Sequence, residues 1–369
     1  MIYPDYNNCL VNLSCSILKE FGIENNNTLK MFDKLLEKKY KNIVVLVLDG
    51  MGKCILDNNL SKDGFFNSHL VGTYSSVFPP TTVAAITSID SGKYPNESCY
   101  LGWDCYYEEI DKTVSVFTNC EACTNIQAEE YNVASTLRPY ESIIDKINKN
   151  GGHAYRVTPY VEPYPDKFAD ICKNIELLCK KSEKKYIYSY FNEPDYTMHI
   201  NGCYSDISIE VLQNLENQVK SLCDKLEDTL FIITADHGHI DTQNINIFDY
   251  PKLSNCLKRI PSIEPRAVNF FVKEDKLKEF EEEFNKNFKD KFNLMPKEEV
   301  IKTKLFGPVD NHEKFSSMIG DYLAVAVSDM AIFNNEEDKS KFIGGHAGLT
   351  EGEMIIPFIA IRTSKKIDN

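Results

Sequence analysis

The segment Asn42–Gly50 reads NIVVLVLDG, in which six consecutive apolar residues are followed by Asp49 and a glycine. An uninterrupted apolar run of this length is typical of a strand that is buried on both faces of a parallel sheet. In open sheets of this kind, ligands bind beyond the carboxyl ends of the strands, which is the position of Asp49. The segment therefore predicts a layered α/β architecture and marks the edge of the sheet where functional residues are expected.

Further apolar runs of the same kind recur along the chain, separated by helical patterns. The runs are Tyr186–Phe191, Leu230–Thr234, Tyr322–Val327 and Met354–Ile361. Helical patterns cover residues 1–39, Glu141–Asn148 and Ser208–Leu226. This alternation predicts an α/β fold in which helices sandwich a largely parallel central sheet, within a single domain that spans residues 1–369.

One stretch, residues 263–305, departs from this alternation. It contains the strand-like sequence AVNFFV, then a strongly charged helical pattern at Lys276–Phe288, and then another short apolar segment. We expect this stretch to form a small α+β insertion or cap, placed between two parts of the core that carry functional residues.

The composition is that of an ordinary soluble globular protein, with 43% hydrophobic and 26% charged residues. A net charge of −14 disfavours nucleic acid as a scaffold-type partner, because phosphate backbones require clustered lysine and arginine. A small phosphorylated substrate stays compatible with this charge, since bound dications would reverse the local field. The sequence shows neither a signal peptide nor an apolar stretch of the roughly 20 residues that a membrane helix requires. We therefore expect a cytoplasmic protein without a membrane partner; the oligomeric state is left open.

Six carboxylate and imidazole residues occupy positions that suit metal ligation, near a glycine or just after an apolar run. They are Asp49, Asp195, His199, Asp236, His237 and His346. Asp195 and His199 are four residues apart, a spacing that puts both side chains on one face of a helical turn. Side chains that leave the ends of several strands converge in space. Six such ligands, three to each ion, and one hydroxyl nucleophile are the components of a two-metal phosphoryl-transfer site.

The hydroxyl nucleophile is predicted at Thr82, in Phe78–Gly92 (FPPTTVAAITSIDSG), where a proline turn runs into a helix of small residues. In the first turn of a helix, free N–H groups and the helix dipole favour an anion. A metal-bound hydroxyl at this position can ionise and attack phosphorus. The alternative is that Thr81 or Thr82 only caps the helix. Four other histidines are expected at the surface or behind the metal ligands: His69, His153, His239 and His312.

In their order and spacing, these motifs resemble the alkaline phosphatase superfamily and, within it, the nucleotide pyrophosphatase/phosphodiesterase branch. Ser91–Pro95 keeps the frame of the T-G-x-Y-P sequence that follows the nucleophile of that branch, and counting back from it places the nucleophile at Thr82. Glu193–Gly202 matches the motif E-P-D-x-x-x-H-x-x-G, and Asp236–Gly238 matches D-H-G. The resemblance covers most of the chain.

The resemblance implies a hydrolase that cleaves a phosphodiester or pyrophosphate bond of a small, nucleotide-like metabolite through a phospho-threonine intermediate. It also implies two divalent metal ions, usually zinc, with manganese or iron compatible with the same donors. The implied ligands of one ion are Asp195, His199 and His346, and those of the other are Asp49, Asp236 and His237, with Thr82 also bound to metal. By the same resemblance, the backbone N–H of Val83 contacts the phosphate.

Two further residues are candidates for substrate contacts. Trp103, the single tryptophan, lies in YLGWDCYY and could stack on a planar leaving group, with a structural aromatic cluster as the alternative. Arg266 could bind a distal phosphate or carboxylate, with a structural ion pair as the alternative. Ala85 stands where the branch carries an asparagine, so a phosphomonoesterase and a C–P hydrolase of the same superfamily stay open. A non-catalytic metal-binding module is the alternative from a different class.

Overall fold

The computed structural model describes residues 1–364. Its strands are, in chain order, β1 (Asn42–Leu48), β2 (Leu70–Ser75), β3 (Asp104–Tyr107), β4 (Lys112–Ser115), β5 (Cys120–Glu121), β6 (Ala154–Val157), β7 (Lys185–Phe191), β8 (Thr229–Thr234), β9 (Ile240–Asp241), β10 (Gln243–Asn246), β11 (Ser262–Glu264), β12 (Ala267–Phe270), β13 (Phe292–Pro296), β14 (Tyr322–Ala326), β15 (Met330–Phe333), β16 (Gly344–Gly345) and β17 (Ile355–Arg362).

The helices in the same part of the chain are α1 (Leu10–Glu20), α2 (Lys30–Leu36), α3 (Lys53–Asn59), α4 (Phe65–Ser68), α5 (Thr82–Ser91), α6 (Pro95–Ser98), α7 (Val133–Leu137), α8 (Ile143–Lys149), α9 (Phe168–Lys180), α10 (Asp195–Asn201), α11 (Asp206–Cys223), α12 (Pro251–Ser254), α13 (Leu277–Phe288), α14 (Lys297–Thr303), α15 (Phe315–Met318), α16 (Glu336–Lys341) and α17 (Glu351–Met354). Short 3-10 turns lie at Ile247–Asp249 and Glu274–Lys276. Among these helices, none combines the length and the apolar character needed to cross a membrane.

Six strands form the central sheet, in the spatial order β2-β17-β8-β1-β7-β6. Strand β1 lies inside the sheet and pairs in parallel with both β7 and β8, whereas β17 runs antiparallel to its neighbours. All seven residues of β1 are buried, as the apolar sequence Asn42–Leu48 predicts. The predicted α/β architecture with a largely parallel central sheet is confirmed.

Helices flank the central sheet in two groups, one built from α1, α2, α5 and α8 and the other from α3, α4, α9, α10 and α11. Helix α9 shows the pattern that causes this packing, since its buried residues recur every three or four positions: Phe168, Ile171, Ile175 and Cys179. A helix with one apolar face is stable only when another layer covers that face, and here β6 and β7 do so.

The register of the central strands brings three strand ends to one edge of the sheet. Leu48 of β1 pairs with Phe191 of β7, and Val47 of β1 pairs with Thr234 of β8. The chain therefore leaves all three strands at nearly the same level. The loops that follow, one of which begins with Asp49, lie side by side because of this register.

A second sheet of seven strands has the order β13-β14-β12-β11-β3-β4-β5, and its pairs are antiparallel. It takes in strands of the predicted insertion, residues 263–305, together with β3 to β5 and β14, so this part of the molecule is larger than the predicted segment. The division of the chain into domains stays a prediction, and residues 365–369 of the predicted domain lie outside the described residues.

The run Tyr322–Val327, predicted as a strand of the parallel sheet, forms β14 of this second sheet instead. The prediction is wrong because a short apolar run reports burial on both faces but not which sheet provides it. In β14, Leu323 and Val325 belong to the core on one face, whereas Ala324 and Ala326 belong to the core on the other. Both faces of the antiparallel sheet are covered, so the strand has the apolar character expected of a parallel one.

A buried ion pair connects the second sheet to the central one. Arg266, between β11 and β12, donates from Nε to Glu353 Oε1 at 2.6 Å and from Nη2 to Glu353 Oε2 at 2.8 Å. Glu353 lies in α17, directly before β17, and both side chains are buried. Burial by itself would raise the pKa of Glu353, but the Arg266 guanidinium outweighs it and lowers that pKa.

The substitution Glu353→Gln is expected to destabilise the fold strongly, since it leaves the Arg266 guanidinium buried without its counter-charge. Removing one partner of a buried ion pair costs about 3–5 kcal/mol, and the free energy of unfolding in urea should fall by a comparable amount. The matched control is Glu351→Gln, at an exposed position of the same helix, with an expected change below about 0.5 kcal/mol. Equal, small effects of both substitutions would contradict a structural role for the pair.

Candidate active site

The adjacent strand ends bring carboxylates and histidines to one region. Asp49 follows β1, and Asp236 and His237 come shortly after β8. Strand β7 leads through Pro194 into α10, whose first residue is Asp195. The backbone N–H of Asp195 donates to the carbonyl oxygen of Asp49 at 3.0 Å, which joins two of these segments directly. Residues that are far apart in sequence therefore become neighbours at the carboxyl edge of the sheet.

The glycines of these motifs allow three backbones to meet at this edge. A Cβ atom on Gly238 would lie 1.9 Å from the carbonyl oxygen of Gly352, and one on Gly52 would lie 2.4 Å from the Cα of Gly238. Any side chain at either position would therefore push the loops apart. The glycine of D-H-G is required by this packing, which holds the adjacent His237 in place.

Thr82 is the first residue of α5, and its hydroxyl lies among the ligand candidates. Its Oγ1 is 3.2 Å from His237 Nε2 and 3.4 Å from Asp49 Oδ2. Thr81 occupies the N-cap position, but its side chain does not cap the helix and donates instead to Glu264 at 2.5 Å. The geometry therefore separates the two threonines: Thr82 faces the carboxylates and histidines, while Thr81 is bonded to the second sheet.

The first group of ligand candidates contains four residues whose ligand atoms all lie within 4.8 Å of one another: Asp195, His199, His239 and His346. Three of them were predicted together, and His239 was expected at the surface or behind the ligands. His239 is fully buried, with Nε2 3.2 Å from Asp195 Oδ1 and Nδ1 3.3 Å from Cys203 Sγ. A position at the surface is therefore excluded for His239. The signal in the sequence was its place in D-H-G-H, one residue beyond the close-packed glycine.

The second group contains Asp49, Asp195 and His237, again within 4.8 Å. Asp236 lies beside it: its Oδ1 accepts from the N–H groups of Gly50 and His237, and its Oδ2 is 3.4 Å from His237 Nε2. All six predicted ligands are thus brought into one region, with Asp195 in contact with both groups. Which residues share an ion stays a prediction.

The chemistry of these groups fits divalent cations. Four polar atoms of these groups and of the adjacent Asp236 are buried without a hydrogen-bond partner: Asp195 Oδ1, Asp236 Oδ2, His239 Nε2 and His346 Nδ1. Unpartnered buried polar atoms are rare because each costs about 1–3 kcal/mol. A cation between these atoms would offset that cost. Carboxylate oxygen and imidazole nitrogen suit zinc, and they also accept manganese and iron.

The electrostatics of the region have the same implication. Burial, and then the neighbouring Asp49 carboxylate, raise the pKa of Asp236 well above its usual range. Burial by itself would lower the pKa of His237, but Asp236 and Asp49 raise it to about 10. Burial, and then the positive charge of His237, lower the pKa of His346 well below its usual range. Charged groups are crowded together at buried positions here, and bound dications would relieve the repulsion between the carboxylates.

Tyr190, which the sequence did not single out, orients Asp49. It is the penultimate residue of β7, and its hydroxyl donates to Asp49 Oδ2. Burial, and then the Asp49 charge, raise the pKa of Tyr190 well above its usual value, so the side chain remains a protonated donor. No local motif marks this residue, because a tyrosine in an apolar strand resembles any core aromatic.

A cavity of about 440 Å³ opens beside Thr82. Its lining includes the ligand candidates Asp195, His199 and His346, and also residues of the second sheet such as Trp103 and Glu264. The cavity is therefore formed jointly by loops of the central sheet and by the second sheet. Its size suits a small organic group attached to a phosphate at Thr82.

The three predicted substrate contacts lie in different settings. Val83 is the second residue of α5, where its N–H has no acceptor within the helix. Trp103 is 43% exposed in the cavity, with its ring edge-on to Phe117 at a centroid distance of 5.7 Å. Arg266 also lines the cavity, but its guanidinium donates to Glu353 and to two backbone carbonyls. All three substrate contacts stay predictions. Arg266 forms the structural ion pair, with Glu353, that the sequence left open as the alternative.

Residues 43–349 match the family model for type I phosphodiesterases and nucleotide pyrophosphatases. The chain belongs to this family. The predicted place in the nucleotide pyrophosphatase/phosphodiesterase branch of the alkaline phosphatase superfamily is confirmed, and with it a phosphoryl-transfer hydrolase of the phosphodiesterase type. No curated protein matches the chain.

Solved structures share the fold of this phosphodiesterase-family chain. An inactive variant of murine ectonucleotide pyrophosphatase/phosphodiesterase 5 in complex with AMP is 18% identical, with a TM-score of 0.68 over 89% of this chain and 91% of that one. The human protein is also 18% identical, with a TM-score of 0.66 over 88% of this chain and 90% of that one. Phosphonoacetate hydrolase from Sinorhizobium meliloti, in complex with phosphonoformate, is 15% identical, with a TM-score of 0.61 over 88% of this chain and 91% of that one.

Zinc is expected to stabilise the chelator-treated protein by about 2.7 kcal/mol at one hundred times its dissociation constant, through binding to the folded state. Asp236→Asn should reduce this zinc-dependent rise in melting temperature. Because the pKa of Asp236 is raised, the metal-free fold loses stability as the pH rises above the ordinary aspartate value of about 4. Metal-free Asp236→Asn should therefore melt at a higher temperature than the metal-free wild type at pH 7.

Differential scanning calorimetry with and without zinc tests both expectations, and elemental analysis gives the metal content. The matched control is Asp57→Asn, at an exposed position, which should behave as the wild type. A zinc-dependent shift in Asp236→Asn equal to that of the wild type would show that the metal binds elsewhere.

Proposed function

We propose that this family member cleaves a phosphodiester or pyrophosphate bond of a small, nucleotide-like metabolite. In this proposal Thr82 is the nucleophile, and two divalent metal ions are the cofactors, with zinc as the first choice for both. The observation that carries the proposal is the position of the Thr82 hydroxyl. It lies at the start of α5, 3.2 Å from His237 Nε2 and 3.4 Å from Asp49 Oδ2, beside the cavity. A hydroxyl in this setting can be deprotonated, and the helix N-terminus favours a phosphate in front of it.

The reaction has two displacements at phosphorus. In the first, the deprotonated Thr82 Oγ1 attacks phosphorus and the bond to the leaving oxygen breaks, releasing an alcohol or phosphate and leaving a phospho-threonine whose phosphoryl group keeps its other substituent. In the second, water attacks phosphorus and the bond to Oγ1 breaks, which releases the phosphate monoester and returns a proton to the threonine. The N–H of Val83 in the first turn of α5 binds a non-bridging phosphoryl oxygen, because it has no acceptor within the helix.

The proposed ligand sets are Asp195, His199 and His346 for one ion, and Asp49, Asp236, His237 and Thr82 for the other. Paired divalent ions supply charge stabilisation for the attacking and leaving oxygens of an in-line displacement. Tyr190 keeps Asp49 oriented through its hydroxyl, and the buried His239 ring lies beside Asp195, with Nε2 3.2 Å from Asp195 Oδ1. Trp103 offers an exposed ring to a planar group of the substrate.

Hydrolysis of bis(4-nitrophenyl) phosphate, 4-nitrophenyl thymidine monophosphate and 4-nitrophenyl phosphate tests this function in the zinc-loaded protein. Thr82→Ala should lower kcat for the diesters at least about a thousandfold, since it removes the nucleophile. Thr82→Ser keeps a hydroxyl and should retain far more activity. Folding of each variant is checked by its melting temperature.

Diester cleavage faster than monoester cleavage, and lost in Thr82→Ala, is the expected result. A preference for the monoester would identify a phosphomonoesterase. Undiminished activity in Thr82→Ala would refute the threonine intermediate. No turnover of any of the three substrates by the metal-loaded wild type would refute the phosphodiesterase function and leave the C–P hydrolase and non-catalytic alternatives.

A further inference from the structure

His239 lies at the level of the metal-ligand candidates rather than behind them. It follows the glycine of D-H-G by one residue, and its ring is fully buried. Its ligand atom is within 4.8 Å of those of Asp195, His199 and His346. The proposed ligand set of one ion contains those three residues and leaves His239 out, although distance does not separate it from them.

The spacing of the ligand atoms fits one coordination shell. Around an ion with bonds of about 2.0–2.1 Å, ligand atoms at tetrahedral corners lie about 3.4 Å from one another. His239 Nε2 is 3.2 Å from Asp195 Oδ1, and His199 Nε2 is 3.4 Å from Asp195 Oδ2. His346 Nε2 is 3.9 Å from Asp195 Oδ1. The distance from His239 is therefore closer to the tetrahedral value than the distance from His346, a predicted ligand.

The three imidazole rings of this group are arranged around one region. Their centroids are 4.5 Å apart for His199 and His239, 5.1 Å for His199 and His346, and 5.5 Å for His239 and His346. The planes of each pair are inclined by 64° to 77°. Inclined rings turn their edges, which carry the nitrogen atoms, toward each other, as imidazoles that share an ion must do.

A hydrogen bond from His239 to Asp195 is the alternative explanation for the short distance. Nε2 and Oδ1 are close enough for such a bond but are not aligned for it, since neither atom has a hydrogen-bond partner among residues 1–364. Both atoms are buried, and an unpaired buried polar atom costs about 1–3 kcal/mol. One shared ion would satisfy both atoms without any rotation of the ring.

The other ring nitrogen of His239 is placed as in a metal-binding histidine. Its Nδ1 lies 3.3 Å from the sulfur of the buried Cys203, whose backbone N–H donates to Asp241 Oδ1 at 2.6 Å. Metal-binding histidines donate their second N–H to a nearby acceptor, which fixes the tautomer. With the proton on Nδ1 and the sulfur as acceptor, the lone pair of Nε2 is available to an ion. His199 has the same arrangement, since its Nδ1 donates to the Gly344 carbonyl oxygen at 2.9 Å.

We propose that His239 is a fourth protein ligand of the ion that Asp195, His199 and His346 bind. This inference deepens the proposed function and rests on it, because that function supplies the ion and its other three ligands. The ion is then held by three imidazole nitrogens and one carboxylate. The other proposed set contains one histidine, His237, so the two ions differ in the number of imidazoles that bind them.

Cadmium binding to the wild type counts these imidazoles directly. The chelator-treated protein, with isotope-labelled histidine, is loaded with a spin-active isotope of cadmium in place of zinc and studied by NMR. One cadmium resonance should couple to three imidazole rings, and the other should couple to one. A pattern of two rings and one ring would overturn the inference and leave the proposed ligand sets intact. Absence of bound cadmium would overturn the inference together with the proposed cofactors.

The substitution His239→Gln tests the same role through zinc affinity. Glutamine keeps an amide N–H that can donate to Asp195 but removes the imidazole. Competition with a chromogenic chelator should show that the affinity for one of the two zinc ions falls by more than about a hundredfold, beyond the 10–100-fold effect of losing a group that only hydrogen-bonds a ligand. The affinity for the other ion should stay close to its wild-type value. A smaller fall, or equal falls for both ions, would assign His239 to hydrogen bonding and overturn the inference.

The matched control is His153→Gln, which removes an imidazole from an exposed position and should leave both zinc affinities unchanged. The melting temperature of each metal-free variant checks its folding, and the cadmium experiment needs no variant at all. Diester cleavage by the wild type tests the proposed function separately. Two imidazoles on one ion and one on the other, in an enzyme that cleaves diesters, would therefore refute the role of His239 alone.

Discussion

The crowding of buried carboxylates at one edge of the central sheet is the constraint on which the rest of the structure depends. Asp49, Asp195 and Asp236 are all buried, and Asp236 carries a pKa raised by burial and by Asp49. Such an arrangement costs free energy unless hydrogen bonds and positive charge offset it. The chain supplies some of this through His237, Tyr190 and the Gly50 N–H. The negative charge that these contacts leave unbalanced is what makes the edge suitable for divalent cations.

The second sheet is connected to this site through an ion pair that positions loops and takes no part in the proposed reaction. Glu353, held by Arg266, accepts a hydrogen bond from the Gly348 N–H at 2.7 Å, and its carbonyl oxygen accepts from the Gly238 N–H at 2.7 Å. The loop that carries His346 and the loop that carries His237 therefore meet at the same buried carboxylate residue. Through Glu353, Arg266 is thus connected to the loops of both ligand groups.

The nucleophile segment lies between two different environments. On the central-sheet side, Thr82 contacts Asp49 and His237, while on the second-sheet side the adjacent Thr81 is bonded to Glu264. The first environment is the one that the proposed hydrolysis would use. The second environment is formed by strands that pair across a long stretch of chain, and it forms one wall of the cavity beside Thr82. The two sheets thus contribute different contacts to the same segment.

The sequence by itself determined the sheet core and the strand-end residues, because Asn42–Leu48 and its parallel neighbours are apolar runs whose ends are marked by Asp and Gly, and parallel register aligns those ends. It did not determine the partner sheet of Tyr322–Val327, the burial of His239, or the hydrogen-bond partners of Tyr190 and Glu264. Those depend on contacts between residues far apart in the chain, for which a local pattern carries no signal. Tertiary structure decided them, since side-chain pairing in a core is set by which layers pack together rather than by periodicity.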